Sequence, residues 1–235
     1  MKLLSNSLFF CINVRKVVIL FIVFLVTMVG DTVVHQYTFP ILPVILKCVA
    51  DNLTHFLIAF LMWMYVESLS LNVRAYLYRA VLCGSFASLI DIDHFIASGT
   101  TSFEVMFSFY RYIRPLSTQN ILVQVAVSLS DRPSFHCTTL FLVLSIFIVF
   151  LSIQTLSKNL VNLAFTILIA SCTHHWRDGY RRGIWLCPFL STPSYSYLTY
   201  ILGLMSFPLM ISYVYDIVSF HVSKPKEYSA VVCSV

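Results

Sequence analysis

The sequence predicts an all-α protein that crosses a membrane several times, and three observations support this prediction. Of the 235 residues, 59% are hydrophobic and 11% are charged, whereas soluble domains average roughly 45–50% apolar and 25% charged residues. The apolar residues form long runs separated by short polar or proline-bearing breaks. Because a helix needs roughly 20 apolar residues to cross a bilayer, these runs indicate a multi-pass helix bundle.

Six candidate spans follow one another along the chain, so we expect about five to six transmembrane helices. They cover residues 17–37, 53–71, 79–98, 134–156, 159–176 and 195–220. The second and third spans carry Glu67 and Arg79 at their inner edges, and the fifth is short. At least one of these three is therefore expected to be tilted or re-entrant.

The spans form one domain with two short tails. We expect an N-terminal tail at residues 1–16, a single transmembrane helical domain at residues 17–220 and a C-terminal tail at residues 221–235. The spans leave little room for a separate soluble domain.

Charge and cysteine content narrow the classes of partner. The formal net charge of +5 favours anionic lipids or phosphate-bearing substrates, but the chain lacks the Lys/Arg run that is typical of nucleic-acid binding. Membrane lipids are therefore expected partners and nucleic acid is not. The seven cysteines are scattered without a C-x-x-C pair, which supports neither a zinc finger nor a disulfide framework.

Alternating spans bring most histidines to one membrane face, which we call the site face. Of the seven histidines, only His221 lies on the other side if all six spans cross. Ionisable groups at membrane depth usually mark function. The groups expected on the site face are Asp31, His35, His55, Asp91, Asp93, His94, His136, His174, His175 and Asp178.

The spacing of these residues favours a metal site. His174 and Asp178 are four residues apart, so on a helix they share a face and can hold one ion together. Asp91 and His94 are three apart and also share a face, whereas Asp93 points elsewhere unless the helix ends there. A mixed set of imidazoles and carboxylates suits Zn²⁺, or Mn²⁺ and Fe if oxygen ligands dominate. A divalent metal is therefore the expected cofactor, with zinc as the first choice.

Each group also has a simpler interpretation. A single histidine such as His55 at a helix start is more often a capping or interfacial side chain, and Asp31 can simply pair with an arginine. The acids and histidine at residues 91–94 can be a polar helix end, and residues 174–178 can be a solvated basic turn. The joint arrangement on one face favours the metal site over these separate explanations.

Five short strings of the sequence resemble the pattern of the YdjM-like family of membrane-bound metal-dependent hydrolases. That pattern comprises T-H, L-P-D-x-D-H, H-R-x-x-T-H, S-H-x-x-x-D and W-P-F. The corresponding strings here are Thr54-His55, Leu89-Ile90-Asp91-Ile92-Asp93-His94, Asp131-Arg132-Pro133-Ser134-Phe135-His136, Thr173-His174-His175-Trp176-Arg177-Asp178 and Cys187-Pro188-Phe189. This chain departs from the pattern at Ile90, Asp131, Phe135 and Cys187, and Asp131 stands where the family has a histidine.

The resemblance implies a metal-dependent enzyme. The family is similar to zinc-dependent phospholipase C and P1 nuclease, helical enzymes that hydrolyse phosphate esters at a metal cluster. By that resemblance, we expect metal ligands among His55, Asp93, His94, His136, His174 and Asp178. Asp91, with Asp93 as the alternative, is expected to accept a proton as the catalytic base. The residues expected to bind an anionic substrate are Arg132, Arg177, Arg181 and Arg182.

The resulting hypothesis is a metal-dependent hydrolase that acts on a phosphate ester or lipid headgroup at the membrane interface. The alternative is a membrane protein without catalytic activity, in which the same residues form a structural metal site or a polar network. An ion transporter is the least favoured class, since apart from Arg79 the charges lie near the ends of the spans.

Overall fold

The computed structural model describes residues 2–34, 44–67, 72–91, 134–186 and 190–223, and these residues form a helix bundle with one short hairpin. A 3₁₀ turn, Ser134–His136, precedes the fourth helix, and strand β1 (Trp185–Leu186) pairs antiparallel with β2 (Leu190–Ser191). The helices are α1 (Lys2–Val34), α2 (Val44–Val66), α3 (Val73–Leu89), α4 (Thr138–Thr155), α5 (Lys158–Arg182) and α6 (Tyr197–Ser223). The predicted all-α bundle is confirmed.

Four of these helices are long and apolar enough to cross a membrane by length and composition. The qualifying segments are Val14–Val34, Val49–Val66, Thr138–Thr155 and Tyr197–Ser223. Of the other two predicted spans, α3 has 17 residues, and α5 has 25 but ends in a charged segment. The predicted third span continues past residue 91, outside the described residues. Helix α1 begins at Lys2, well before the predicted start at 17.

Helix α5 lies at the centre of the bundle. It packs against α2, α3, α4 and α6, and buried residues follow one another along it from Val161 to Gly179. By contrast, α1, α4 and α6 expose large apolar side chains such as Phe21, Ile146 and Phe220, as expected of surfaces in contact with lipid. The central position explains how α5 can carry polar residues in a membrane protein.

A tight turn makes α4 and α5 antiparallel neighbours. Leu156 adopts a left-handed backbone (φ 52°), and the Ser157 side chain caps α5 by accepting a hydrogen bond from the Leu160 amide. Thr138 and His175 are equally far from this turn, so they lie side by side at the far end of the hairpin. The start of α4 and the end of α5 therefore meet at the site face.

A buried ion pair joins α2 and α3 at the opposite end of the bundle. Arg79 donates from Nε to Glu67 Oε2 at 2.7 Å and pairs with Glu67 Oε1 through Nη2. Trp63 Nε1 donates to the same carboxylate at 3.0 Å. The two charges that the sequence places at the inner edges of neighbouring spans thus neutralise each other, and this Glu67–Arg79 pair does not touch the residues of the site face.

Close approach of α3 to α2 requires a glycine at position 84. A Cβ atom there would lie 2.8 Å from the Phe56 carbonyl oxygen, and the backbone cannot move aside as a flexible side chain could.

We expect Gly84→Ala to destabilise the protein by about 1–3 kcal/mol, although alanine ordinarily stabilises a helix relative to glycine. The thermal unfolding midpoint in detergent should fall. Leu82→Ala, at an exposed position of the same helix, serves as the control, and an equal effect in both would contradict this explanation.

Candidate metal centre

Four side chains from three parts of the chain converge at the site face. Asp91 follows the end of α3, His136 ends the 3₁₀ turn before α4, and His174 and Asp178 lie one turn apart on α5. One potential ligand atom from each lies within 4.8 Å of all the others. The structure therefore brings together four of the residues that the sequence singles out, although they come from three segments that are far apart in the sequence.

Five of the six distances among these atoms are close to the edges of a coordination tetrahedron, and the sixth, between Asp91 and Asp178, is at most 4.8 Å. His174 Nε2 lies 3.4 Å from both His136 Nε2 and Asp91 Oδ1, and His136 Nε2 lies 3.5 Å from Asp91 Oδ1. Asp178 Oδ2 lies 3.6 Å from His136 Nε2 and 3.9 Å from His174 Nε2. Ligand bonds of about 2.0–2.1 Å around one zinc ion correspond to edges of about 3.3–3.4 Å.

The hydrogen bond at the other nitrogen of His174 fixes its protonation. His174 Nδ1 lies 2.9 Å from the Ala87 carbonyl oxygen, and a carbonyl can only accept, so Nδ1 carries the proton. In the neutral imidazole, Nε2 then presents a lone pair to the cluster. A hydrogen bond of this kind, at the ring nitrogen that does not face the metal, orients metal-binding histidines in known sites. The same bond ties α5 to the last turn of α3, directly before Asp91.

His175 holds the segment that carries His136. Its Nε2 donates to the Phe135 carbonyl at 3.0 Å, and its Nδ1 accepts from the Thr138 hydroxyl at 3.0 Å. Both ring nitrogens are thereby occupied, on either side of His136 in the chain. His175 is thus a supporting residue, and its neighbour His174 is the one that reaches the cluster.

The cluster carries negative charge in a largely buried place. The side chains of His174, Asp178, His136 and Asp91 are 0%, 9%, 11% and 19% exposed, so Asp91 and His136 form its open side. Burial by itself raises the pKa of the Asp91 carboxyl, but the nearby imidazole of His174 and the hydrogen bond with His136 lower it by more, so this pKa lies below its usual range. Asp91 is therefore expected as a carboxylate. Asp178 Oδ2 is buried without a hydrogen-bond partner.

His55 lies beside this group and outside the four-atom cluster. Its ring stacks on His174, with centroids 4.0 Å apart and an interplanar angle of 23°. His55 Nε2 lies 3.6 Å from Asp178 Oδ1, whereas the cluster uses the other oxygen of that carboxylate. Both His55 nitrogens are buried without a hydrogen-bond partner. His55 thus lies on the buried side of the cluster, against the ring of His174.

The arginines near the cluster differ in their surroundings. Arg177 is fully buried and pairs with Asp31 and Asp51. Arg181 also pairs with Asp51, and 22% of its side chain is exposed. Arg182 is half-buried, and its positive charge acts on Asp178. The simpler interpretation of Asp31, pairing with an arginine, is the one that the structure shows.

Several residues that the sequence favours lie outside the described part of the chain, and their roles stay predictions. These are His35, Asp93, His94, Asp131, Arg132 and the Cys187-Pro188-Phe189 string.

The sequence predicts no role for two residues that support the site in the structure, Asp51 and His175. Asp51 could have been found from its spacing, since it lies one helical turn before His55. His175 could not, because only the antiparallel pairing of α4 with α5 places it against Phe135 and Thr138.

The chain is similar in sequence to transmembrane protein 267 from several animals. It is 31% identical over 170 residues to transmembrane protein 267 of Xenopus laevis, covering 72% of this chain and 69% of the relative. It is 30% identical to transmembrane protein 267 of Danio rerio, over 71% of this chain and 66% of the relative. The Mus musculus protein is 28% identical. No protein-family model and no solved structure matches the chain.

The likeness to the YdjM-like family therefore rests on its motifs alone. The strings Asp51-Asn52-x-x-His55 and His174-His175-x-Arg177-Asp178-Gly179-x-Arg181 resemble transmembrane protein 267 more closely, and the comparison confirms that relationship. Helices able to cross a membrane agree with the relatives' name. The chain is an integral, multi-pass membrane protein that belongs to the transmembrane protein 267 family.

Proposed function

We propose that this protein holds one divalent cation, zinc in the first instance, between Asp91, His136, His174 and Asp178 and uses it to hydrolyse a phosphate ester at headgroup depth. One observation carries the metal site: four ligand atoms, two of them on carboxylates, converge within 4.8 Å. The catalytic step rests on the chemistry of this ligand set and on the motif resemblance to metal-dependent hydrolases.

The four residues fit a cation because each turns a potential ligand atom toward the same small space. Facing carboxylate oxygens and imidazole lone pairs repel one another, and burial makes uncompensated charge costly. Two carboxylates contribute a charge of about −2, which a divalent ion neutralises. The unpartnered Asp178 Oδ2 is the oxygen that faces both His136 and His174. Two imidazoles and two carboxylates suit zinc, and manganese or iron are the next candidates.

The roles of the residues follow from their exposure. A divalent cation held there would act as a Lewis acid and would lower the pKa of a coordinated water, which a tetrahedral ion accepts only where one of its four protein ligands, here Asp91, yields its position. His174 and Asp178 are buried and act as fixed ligands. Asp91 is the most exposed of the four and has a second carboxylate oxygen, so we assign it the additional role of accepting a proton. His136 completes the open side, where a substrate can enter.

The position of the site favours a lipid phosphate ester as substrate. The cluster lies where three helical segments end, and a site at that level meets headgroups. Arg182 is half-buried beside it and supplies positive charge for a phosphate, whereas the charge of Arg181 is paired with Asp51. The burial of His174 and Asp178 also suits a second candidate, a structural metal site without catalysis, and the two candidates share the metal but differ in turnover.

Metal content tests the site directly. Purified protein should contain about one zinc ion per chain, and His174→Ala should lose it, because the lone pair at Nε2 then disappears. The metal is measured by inductively coupled plasma mass spectrometry. The matched control is His221→Ala, which removes an exposed histidine at the opposite end of the bundle. Equal zinc in both variants and the wild type would contradict the proposed ligand set.

Hydrolysis of phosphate esters tests catalysis separately. Asp178→Asn should abolish turnover of a phospholipid or a soluble phosphate monoester, whereas Arg182→Gln should mainly raise KM. A lost charge-assisted hydrogen bond of about 1.5–3 kcal/mol corresponds to roughly tenfold to hundredfold. Exposed Arg74, on the far side of the bundle, provides the control Arg74→Gln. If the wild type binds zinc but cleaves no phosphate ester, the structural candidate replaces the enzyme.

A further inference from the structure

We infer that Arg177 and Asp51 are positioning residues that set the geometry of the metal centre, in contrast to the substrate-binding role that the sequence favours for Arg177. The inference rests on the proposed metal site. Arg177 and Asp51 belong to an ion-pair network with Asp31 and Arg181, and this network lies beside the cluster without contributing an atom to it.

Arg177 forms ion pairs with two aspartates from two other helices. Its Nε and Nη2 lie 3.0 and 2.9 Å from Asp31 Oδ1, and its Nη1 lies 2.5 Å from Asp51 Oδ1. Nη1 also lies 3.4 Å from the Asp51 carbonyl oxygen. With no exposed surface, the guanidinium cannot be reached by a substrate unless the bundle opens.

The charges of the network balance within it. Asp31 and Asp51 supply two negative charges, and Arg177 and Arg181 supply two positive charges, with Arg181 Nη2 lying 2.9 Å from Asp51 Oδ1. Arg177 therefore offers no uncompensated charge to a phosphate. A buried set of paired charges resists separation, because each group would lose its partner without gaining water. The network consequently favours one arrangement of the helices that bear it.

The network and the cluster occupy adjacent layers of the same helix–helix contact. On α2, Asp51 lies one turn before His55, and on α5, Arg177 directly precedes Asp178. The Asp51–Arg177 pair forms one layer, and the stack of His55 on His174 forms the next. A shift of α2 along α5 that broke the ion pair would also carry His55 away from His174 and Asp178.

Two further helices are tied to the same arginine. Asp31 lies near the end of α1, and Tyr197, the first residue of α6, donates to Asp31 Oδ2 at 3.3 Å. Helix α1 approaches α2 closely at this level, since a Cβ at Gly30 would overlap the Thr54 side chain. Only a planar guanidinium can bind two carboxylates from separate helices through several nitrogens at once. Arg177 thus fixes α5, and with it two ligands, relative to α1, α2 and α6.

The test compares two ion pairs in the full-length protein in detergent. Asp51→Asn removes the carboxylate that Arg177 and Arg181 share, and Glu67→Gln weakens the buried pair at the opposite end of α2. Cobalt(II) replaces zinc as the probe, because its visible absorption reports coordination geometry and its titration gives affinity. We expect Asp51→Asn to lower the cobalt affinity by about tenfold and to alter the spectrum, which is the smaller end of the losses seen when a residue hydrogen-bonded to a metal ligand is removed. Glu67→Gln should leave both unchanged.

A milder variant covers the case in which Asp51→Asn does not fold. Arg177→Lys keeps the buried positive charge but lacks the planar fork, so a smaller loss of cobalt affinity in the same direction is expected. Wild-type affinity and spectrum in Arg177→Lys or in folded Asp51→Asn would overturn this inference while leaving the metal centre intact. An equal loss in Glu67→Gln would overturn it as well, since general destabilisation would then suffice. Absence of cobalt binding by the wild type would instead overturn the metal centre, and the inference with it.

Discussion

Lipid cannot solvate charged groups, and α5 carries a dense set of ionisable groups in its last three turns. His174, His175, Arg177 and Asp178 follow almost without interruption, so they project in several directions around the helix. No single face of α5 can therefore point to lipid at this level. The bundle resolves the problem by surrounding α5 with α2, α3, α4 and α6. Each polar side chain then finds its partners on a different neighbour, and the arrangement of the site face follows from this enclosure.

The side chains that contact the end of α5 differ between its two sides. Towards α3 and α4 it presents His174 and Asp178, whose ligand atoms face others of the same kind. Towards α1 and α2 it presents Arg177, whose charge is matched by aspartates. The first side gathers two carboxylates and two imidazoles at one point, whereas the second pairs its aspartates with arginines. This difference distinguishes the proposed cation site from the ion pairs that hold the helices together.

The sequence predicted the class of fold and the main residues of the cluster because both depend on short-range patterns. Apolar runs indicate helices that lipid can surround, and the four-residue spacing of His174 and Asp178 places them on one helix face. The partners of Arg177 depend instead on which helices are neighbours, and a count of spans does not determine this. The position of His55 outside the four-atom cluster could not be predicted from the sequence either, since the stacking of its ring on His174 depends on how α2 packs against α5. Likewise, hydropathy alone did not distinguish α5, enclosed by protein, from helices that meet lipid.

The hairpin of α4 and α5 also fixes the length of the chain between His136 and His174. Because Thr138 and His175 sit opposite each other across the turn at Leu156, each residue added to one helix would displace its end by about 1.5 Å and rotate it by about 100°. A single insertion in α4 or in most of α5 would therefore turn one histidine away from the other, even if every side chain were retained. Variation in length within this family should consequently fall outside the segment from His136 to Asp178, while substitutions on the lipid-facing side of α4 meet no such restriction.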